Sequence, residues 1–152
     1  MKQVFELAPP ADGGGLGIIV GIMALMIGLA LLFAYILWGA RHSSCEVSSE
    51  ALTIRTPLYG RTIPLRDLEI ERSTSGRLDR DAPYAPSLRL NGIGLPDFKS
   101  GWFRANSGEK LLAVLTNRDS VVSIPTRQGY RLLVSIKAPE RFLEALRTAA
   151  AR

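Results

Sequence analysis

From Leu16 to Trp38 the chain carries no charged side chain. A helix of that length rises about 34 Å, slightly more than the roughly 30 Å hydrocarbon core of a bilayer. A helix that turns one face to water carries charge on that face, and this one has none. Tyr35 and Trp38 sit where amphipathic rings favour the headgroup region, and Arg41 and His42 follow at once. The run predicts a membrane-spanning helix bounded by Leu16 and Trp38. Residues 1–15 then form a disordered leader, 39–46 a juxtamembrane linker and 47–150 a folded domain.

A cleavable signal peptide has a basic beginning, an apolar core of about 7–15 residues and small residues before the cut. The first fifteen residues set Lys2 against Glu6 and Asp12, and the apolar run is longer than such a core. The expectation is an uncleaved anchor. Arg41, Arg55 and Arg61 on the C-terminal side outnumber Lys2 on the other, which predicts a cytoplasmic C-terminal domain. Gly17, Gly21, Ala24 and Gly28 fall along one helix face. This stripe of small residues would let a second copy pack backbone to backbone as a homodimer.

The stretch from Arg41 to Arg152 is long enough for one small domain with its own core. Of the 19 basic residues only Lys2 precedes it, and of the 14 acidic residues only Glu6 and Asp12 do. The basic excess is spread along the chain rather than gathered into a run with interleaved aromatics, so no nucleic-acid partner is expected. His42 is the single histidine and Cys45 the single cysteine. That excludes a histidine-based triad within one chain, a multi-histidine metal site and an internal disulfide. Glu69 and Glu71 alternate with Leu68 and Ile70 as a solvated strand face does. Asp79 and Asp81 sit among Arg77 and Arg80, and Gly92-x-Gly94 lacks the third glycine of a nucleotide fingerprint. No enzyme, cofactor or metal site is expected.

Period-two patterning dominates the domain. Tyr130, Leu132, Val134 and Ile136 alternate with Arg131, Leu133, Ser135 and Lys137, which predicts a strand with one buried face. Leu52 and Ile54 alternate with Thr53 and Arg55. Ile63 and Leu65 have the opposite phase to Leu68 and Ile70, so a bulge or turn is expected near Arg66-Asp67. Leu88 and Leu90 mark a short strand, 111–115 a central one, and Val122 and Ile124 another that Pro125 ends at an edge. The connections Asn106-Ser107-Gly108-Glu109, Asn117-Arg118-Asp119-Ser120 and Arg127-Gln128-Gly129 read as hairpins. Residues 73–86 read as a long, exposed, mobile loop. Pro139 suits a first helical position, and Phe142, Ala145, Leu146 and Ala149 then share an apolar face. Leu132, Val134 and Ile136 are expected to be buried with Phe142 and Leu146. The prediction is a mainly β (α+β) domain of about seven antiparallel strands with a C-terminal amphipathic helix.

Asn91-Gly92-Ile93-Gly94-Leu95-Pro96, Gly101-Trp102-Phe103, Ile124-Pro125-Thr126 and Pro139-Glu140-Arg141-Phe142-Leu143 together resemble membrane-anchored bacterial proteins with a pleckstrin-homology-like (PH-like) domain. The similarity runs from about Leu52 to Leu146. It implies a PH-like barrel of two packed antiparallel sheets capped by the C-terminal helix, in a single-pass protein of the bacterial cytoplasmic membrane. The family says little about activity, and the expected role is a non-enzymatic binding or scaffold module with a protein partner. An anionic lipid or phosphate sensor using Arg55 and Arg61 of the first hairpin is the second possibility, and an accessory subunit of a membrane enzyme or transporter the third.

Phe98, Trp102 and Phe103 follow the turn expected at 91–97. Alternation places Phe98 and Trp102 on one side of their strand and Phe103 on the other, so both sides cannot be equally buried. The outward ring, beside Lys99 or Arg104, is the candidate partner-docking surface.

Overall fold

A computed structural model describes residues 14–56, 58–95 and 98–151. They divide into two units, one ending at Trp38 and one starting at Gly39. In the first unit, helix α1 (Gly14–Arg41) carries the apolar run, and its stretch Gly15–Gly39 is long and apolar enough to cross a membrane. The expected leader lies outside the described residues except for Gly14 and Gly15. The stretch expected to be a linker is helix as far as Arg41 and strand from Ser44.

The second unit holds two sheets. The smaller has the order β1 (Ser44–Val47), β2 (Ala51–Arg55) and β3 (Arg61–Pro64), all antiparallel. Alternation works here as the sequence predicts: Leu52, Ile54 and Ile63 turn inward, while Thr53 and Thr62 meet on the other side with 3.2 Å between their hydroxyl oxygens. After Pro64 the chain makes two 3-10 turns, Leu65–Asp67 and Ile70–Arg72. The turn expected at Arg66-Asp67 is present. Leu68 makes a single bridge to Thr126, and the Glu69 N–H donates to the Pro125 carbonyl.

The larger sheet contains β4 (Thr74–Gly76), β5 (Pro86–Leu95), β6 (Phe98–Ala105), β7 (Lys110–Leu115), β8 (Val121–Pro125) and β9 (Arg131–Ser135), in the order β4-β8-β9-β7-β6-β5. Two of the three expected hairpins form, at 106–109 and 127–129, with Gly108 and Gly129 at φ +87° and +80°. The third does not. Strand β9 inserts between β7 and β8 and runs parallel to β7, so 117–120 spans the width of a strand instead of closing a hairpin. The Ser135 hydroxyl holds that crossing by accepting from the Thr116 and Asn117 N–H groups and donating to the Asn117 carbonyl. Strand β8 is also not an edge, because β4 pairs with its first three residues. Pro125 lies just past that pairing, where no donor is needed.

Between β5 and β6, Gly92 stands opposite Gly101. A Cβ on Gly101 would lie 2.5 Å from the Asn91 carbonyl oxygen, and one on Gly92 2.5 Å from that of Ser100. Only glycine at both positions lets the strands approach so closely, and Gly101 also adopts φ +129°. Residues 91–95, expected as a turn, are therefore strand. Pro96 and Asp97 lie outside the described residues.

Each face of the larger sheet is covered. On one side, Leu112, Val122, Ile124, Tyr130, Leu132 and Val134 pack with Leu52, Ile54 and Ile63 of the smaller sheet and with Leu143 and Leu146 of helix α2 (Pro139–Ala150). Ile136 and Phe142 are half-buried against this cluster. The helix face is rotated from expectation, since Leu143 is buried and Ala145 exposed. On the other side, Phe103, Leu111, Ala113, Leu115, Val121 and Leu133 pack under Leu78 and Ala85. The stretch 73–86 is thus not an exposed loop. The Leu78 N–H donates to the Arg118 carbonyl, the Asn106 N–H to that of Ala85, and the Asn106 amide to those of Arg80 and Ala82. Accordingly β9 is buried on both faces. Among the described residues the architecture is nine strands in two sheets that do not close into a barrel, with β7 and β9 parallel, in place of about seven antiparallel strands.

Candidate functional site

The β2–β3 register places Arg61 directly across from Ile54, in the inward phase of its sheet. Its guanidinium carbon lies 5.7 Å from the ring centres of both Trp102 and Tyr130. Those two rings meet edge to face with centres 5.1 Å apart, and the Lys110 Nζ lies 4.5 Å from the Trp102 ring centre. Two cations thus converge on one indole, and neither has an ion pair among the described residues. Burial pushes the Tyr130 phenol above its usual pKa, against the pull of the Arg61 charge. The neutral phenol is the form that packs here.

Arg55 lies elsewhere. Its guanidinium makes a two-pronged pair with Glu46, Nε to Oε1 at 2.9 Å and NH2 to Oε2 at 2.9 Å, on the exposed side of the smaller sheet. The two arginines expected to form one anion site do not converge. The turn between them is fixed by the Tyr59 N–H donating to the Thr56 hydroxyl, and the Tyr59 hydroxyl reaches Asn91 of β5 at 3.0 Å. Of the three aromatics, Phe98 and Phe103 are buried and Trp102 is half-buried between the cations. Lys110 and Tyr130 belong to this cluster without having been singled out in the sequence. Their only signal is position, since Lys110 precedes the apolar run of β7 and Tyr130 follows the hairpin glycine.

Other chemistry finds little footing. Burial raises the Cys45 thiol to about 11, so it stays protonated at neutral pH and is a poor nucleophile. No group of three histidine, cysteine or acidic residues that could hold a metal occurs among the described residues. An open groove of about 490 Å³ runs between 47–49 and the side of α2 bearing Arg141, Glu144 and Thr148, with one acid and no histidine in its walls.

The two-sheet core closed by a C-terminal helix, entered from β1 and left at α2, is matched by the family model of the bacterial PH domain over residues 43–150. The chain belongs to the bacterial PH domain family. No curated protein matches it, and no solved structure does. The match takes in every strand and the closing helix of the PH domain, along with the Gly92–Gly101 approach and the Trp102 cluster.

Proposed function

We propose that the chain is a single-pass membrane protein that holds its PH domain at the membrane surface as a non-enzymatic binding or scaffold module. The observation that carries this reading is α1: its large apolar side chains are exposed on every side, Leu16 at 70%, Leu25 at 72% and Leu31 at 66%. Leaving each such side chain in water instead of an apolar surrounding costs about 1.5–3 kcal/mol, so lipid is the solvent this helix suits. The positive-inside bias of Arg41, Arg55 and Arg61 over Lys2 puts the PH domain in the cytoplasm. The face of Gly17, Gly21, Ala24 and Gly28 brings two copies together: a Cβ at any of the three glycines meets nothing within 4 Å, which leaves room for a second backbone.

The test is extraction of the full chain from its native membrane. It should stay in the pellet in alkaline carbonate, and a reporter fused to Arg152 that works only outside the cytoplasm should be silent. Release by carbonate removes the anchor, and a strong reporter signal reverses the orientation. A second reading, an anion-sensing module, is favoured by the convergence of Arg61 and Lys110 on Trp102. It predicts binding to phosphatidylglycerol vesicles that the double variant R61Q/K110Q abolishes.

A further inference from the structure

The two edges of the larger sheet differ. Strand β4 is three residues long, and the Ser75 hydroxyl approaches Glu140 of α2 at 3.4 Å. Strand β5 is ten residues long, with β6 as its one strand neighbour among the described residues. Proteins usually blunt a long edge by shortening it, bulging it, or placing proline or charge on it. Here Pro86 and two register shifts lie in the first half of β5. Residues 91–95 then pair one for one with 102–98, leaving the outer backbone groups of this half free of any strand.

Side chains single out the same edge. Outside α1, four large apolar side chains are exposed among the described residues, and Leu88 (57%), Leu90 (43%) and Leu95 (37%) are all on β5. The fourth, Leu58, precedes the tyrosine whose hydroxyl reaches Asn91 of β5. Charge there has one sign: β5 and β6 carry Arg89, Lys99 and Arg104 and no acidic residue. Two copies paired edge to edge would bring like charges together, which disfavours self-association.

We propose that the β5 edge receives an extended acidic peptide segment of a partner protein as an added strand. Main-chain hydrogen bonds would supply the pairing, Leu88, Leu90 and Leu95 the apolar contacts, and Arg89 and Arg104 the preference for acidic side chains. This rests on the reading of the chain as an anchored binding module, and names the face that binds and the chemistry of what it takes.

The experiment uses the full chain in phosphatidylcholine nanodiscs and a labelled nine-residue peptide alternating valine with glutamate. Its controls are a valine–lysine counterpart and two acidic versions N-methylated at odd or at even positions. The acidic peptide should bind at least about tenfold more tightly than the basic one, and R89E should reverse that order. One N-methylated version should lose binding and the other keep it, because alternate N–H groups face the sheet. Arg89 is exposed, so the variant's circular dichroism should match the parent's. Absence of acidic-peptide binding, binding by both methylated versions, or a preference indifferent to R89E would overturn the proposal. So would dimerisation that R89E abolishes, or protection of β5 amides from exchange by phosphatidylglycerol nanodiscs alone, which would assign the edge to a second copy or to lipid. Stable insertion into nanodiscs without a peptide response would remove only the edge and leave the anchored module standing.

Discussion

The two faces of the larger sheet are equally dry but differently covered. Leu132 and Leu133, adjacent on β9, are each fully buried, one on either face. Leu132 lies under regular elements, β2, β3 and α2, whose apolar residues recur with strand and helix periods. Leu133 lies under an irregular stretch that contributes Leu78 and Ala85, with Ala82 and Tyr84 half-buried around them. A face covered by periodic elements announces its cover in the sequence, whereas a face covered by a few apolar residues on a non-repeating chain does not. The difference should also appear in cooperativity. The regular cover is part of the core that holds both sheets together, while the irregular one is tied down by backbone bonds to the turns at 106–109 and 117–120.

The largest expected effect bears on both faces at once. Gly101 immediately precedes Trp102, which turns to the first face, and Phe103, buried on the second. In G101A the new Cβ would lie 2.5 Å from the Asn91 carbonyl oxygen and 2.6 Å from the Gly92 Cα, at a φ that L-residues rarely adopt. Backbone strain and overpacking together should cost about 3–5 kcal/mol, read as a fall in the urea midpoint of the full chain in detergent. A midpoint within error of the parent would mean that β5 and β6 do not approach as described.

Much of the first face was legible. The alternation at Leu52 and Ile54, the phase change at Arg66-Asp67 and Pro139 at the start of α2 are all local signals, and local signals survive into the fold. What failed was non-local. The turn-rich sequence at 117–120 is as suitable for a hairpin as for a crossing, and only the later arrival of β9 decides between them. Leu133 was the available clue to a second covered face: a leucine in the outward phase of a strand whose neighbour β7 is apolar at every position from Leu111 to Leu115. At the candidate site, Arg55 and Arg61 are close in sequence, but the pairing of Ile54 with Arg61 gives them opposite phases. Register, not spacing, separates them.

The next effect compares the two covers directly. L146A removes a fully buried side chain from α2, and L78A one that is 2% exposed from the irregular stretch. Leucine truncations cost about 2–5 kcal/mol, and the cost falls where the surroundings can collapse. L146A should lie in the upper half of that range and lower amide protection across both sheets by a common factor. L78A should lie near the lower end, with protection lost chiefly at 77–85 and β4. Equal, global losses in both variants would show that the two covers are one cooperative unit.

The smallest effect concerns two arginines that composition cannot tell apart. Arg55 pairs with Glu46 while both side chains stay more than half exposed, 65% and 55%. Water screens such a pair and the long side chains lose freedom in forming it, so R55M should change stability by no more than about 0.5 kcal/mol, and by less in high salt. Arg61 lies against two rings, one of them in the buried cluster, and its attraction to their faces is sheltered on the ring side; such contacts are worth about 0.5–1 kcal/mol at exposed sites and more when water is excluded. R61M keeps the stem that packs on Trp102 and Tyr130 and removes the charge. It should therefore cost about 1 kcal/mol, change little with salt, and push the Tyr130 phenol to titrate higher still, because the Arg61 charge that opposes the effect of burial is gone. Spectrophotometric titration of the tyrosines in R61M and R55M checks the sign. A Tyr130 transition that moves to lower pH in R61M, or that moves equally in both variants, would detach Arg61 from the rings and place the two arginines in one class again.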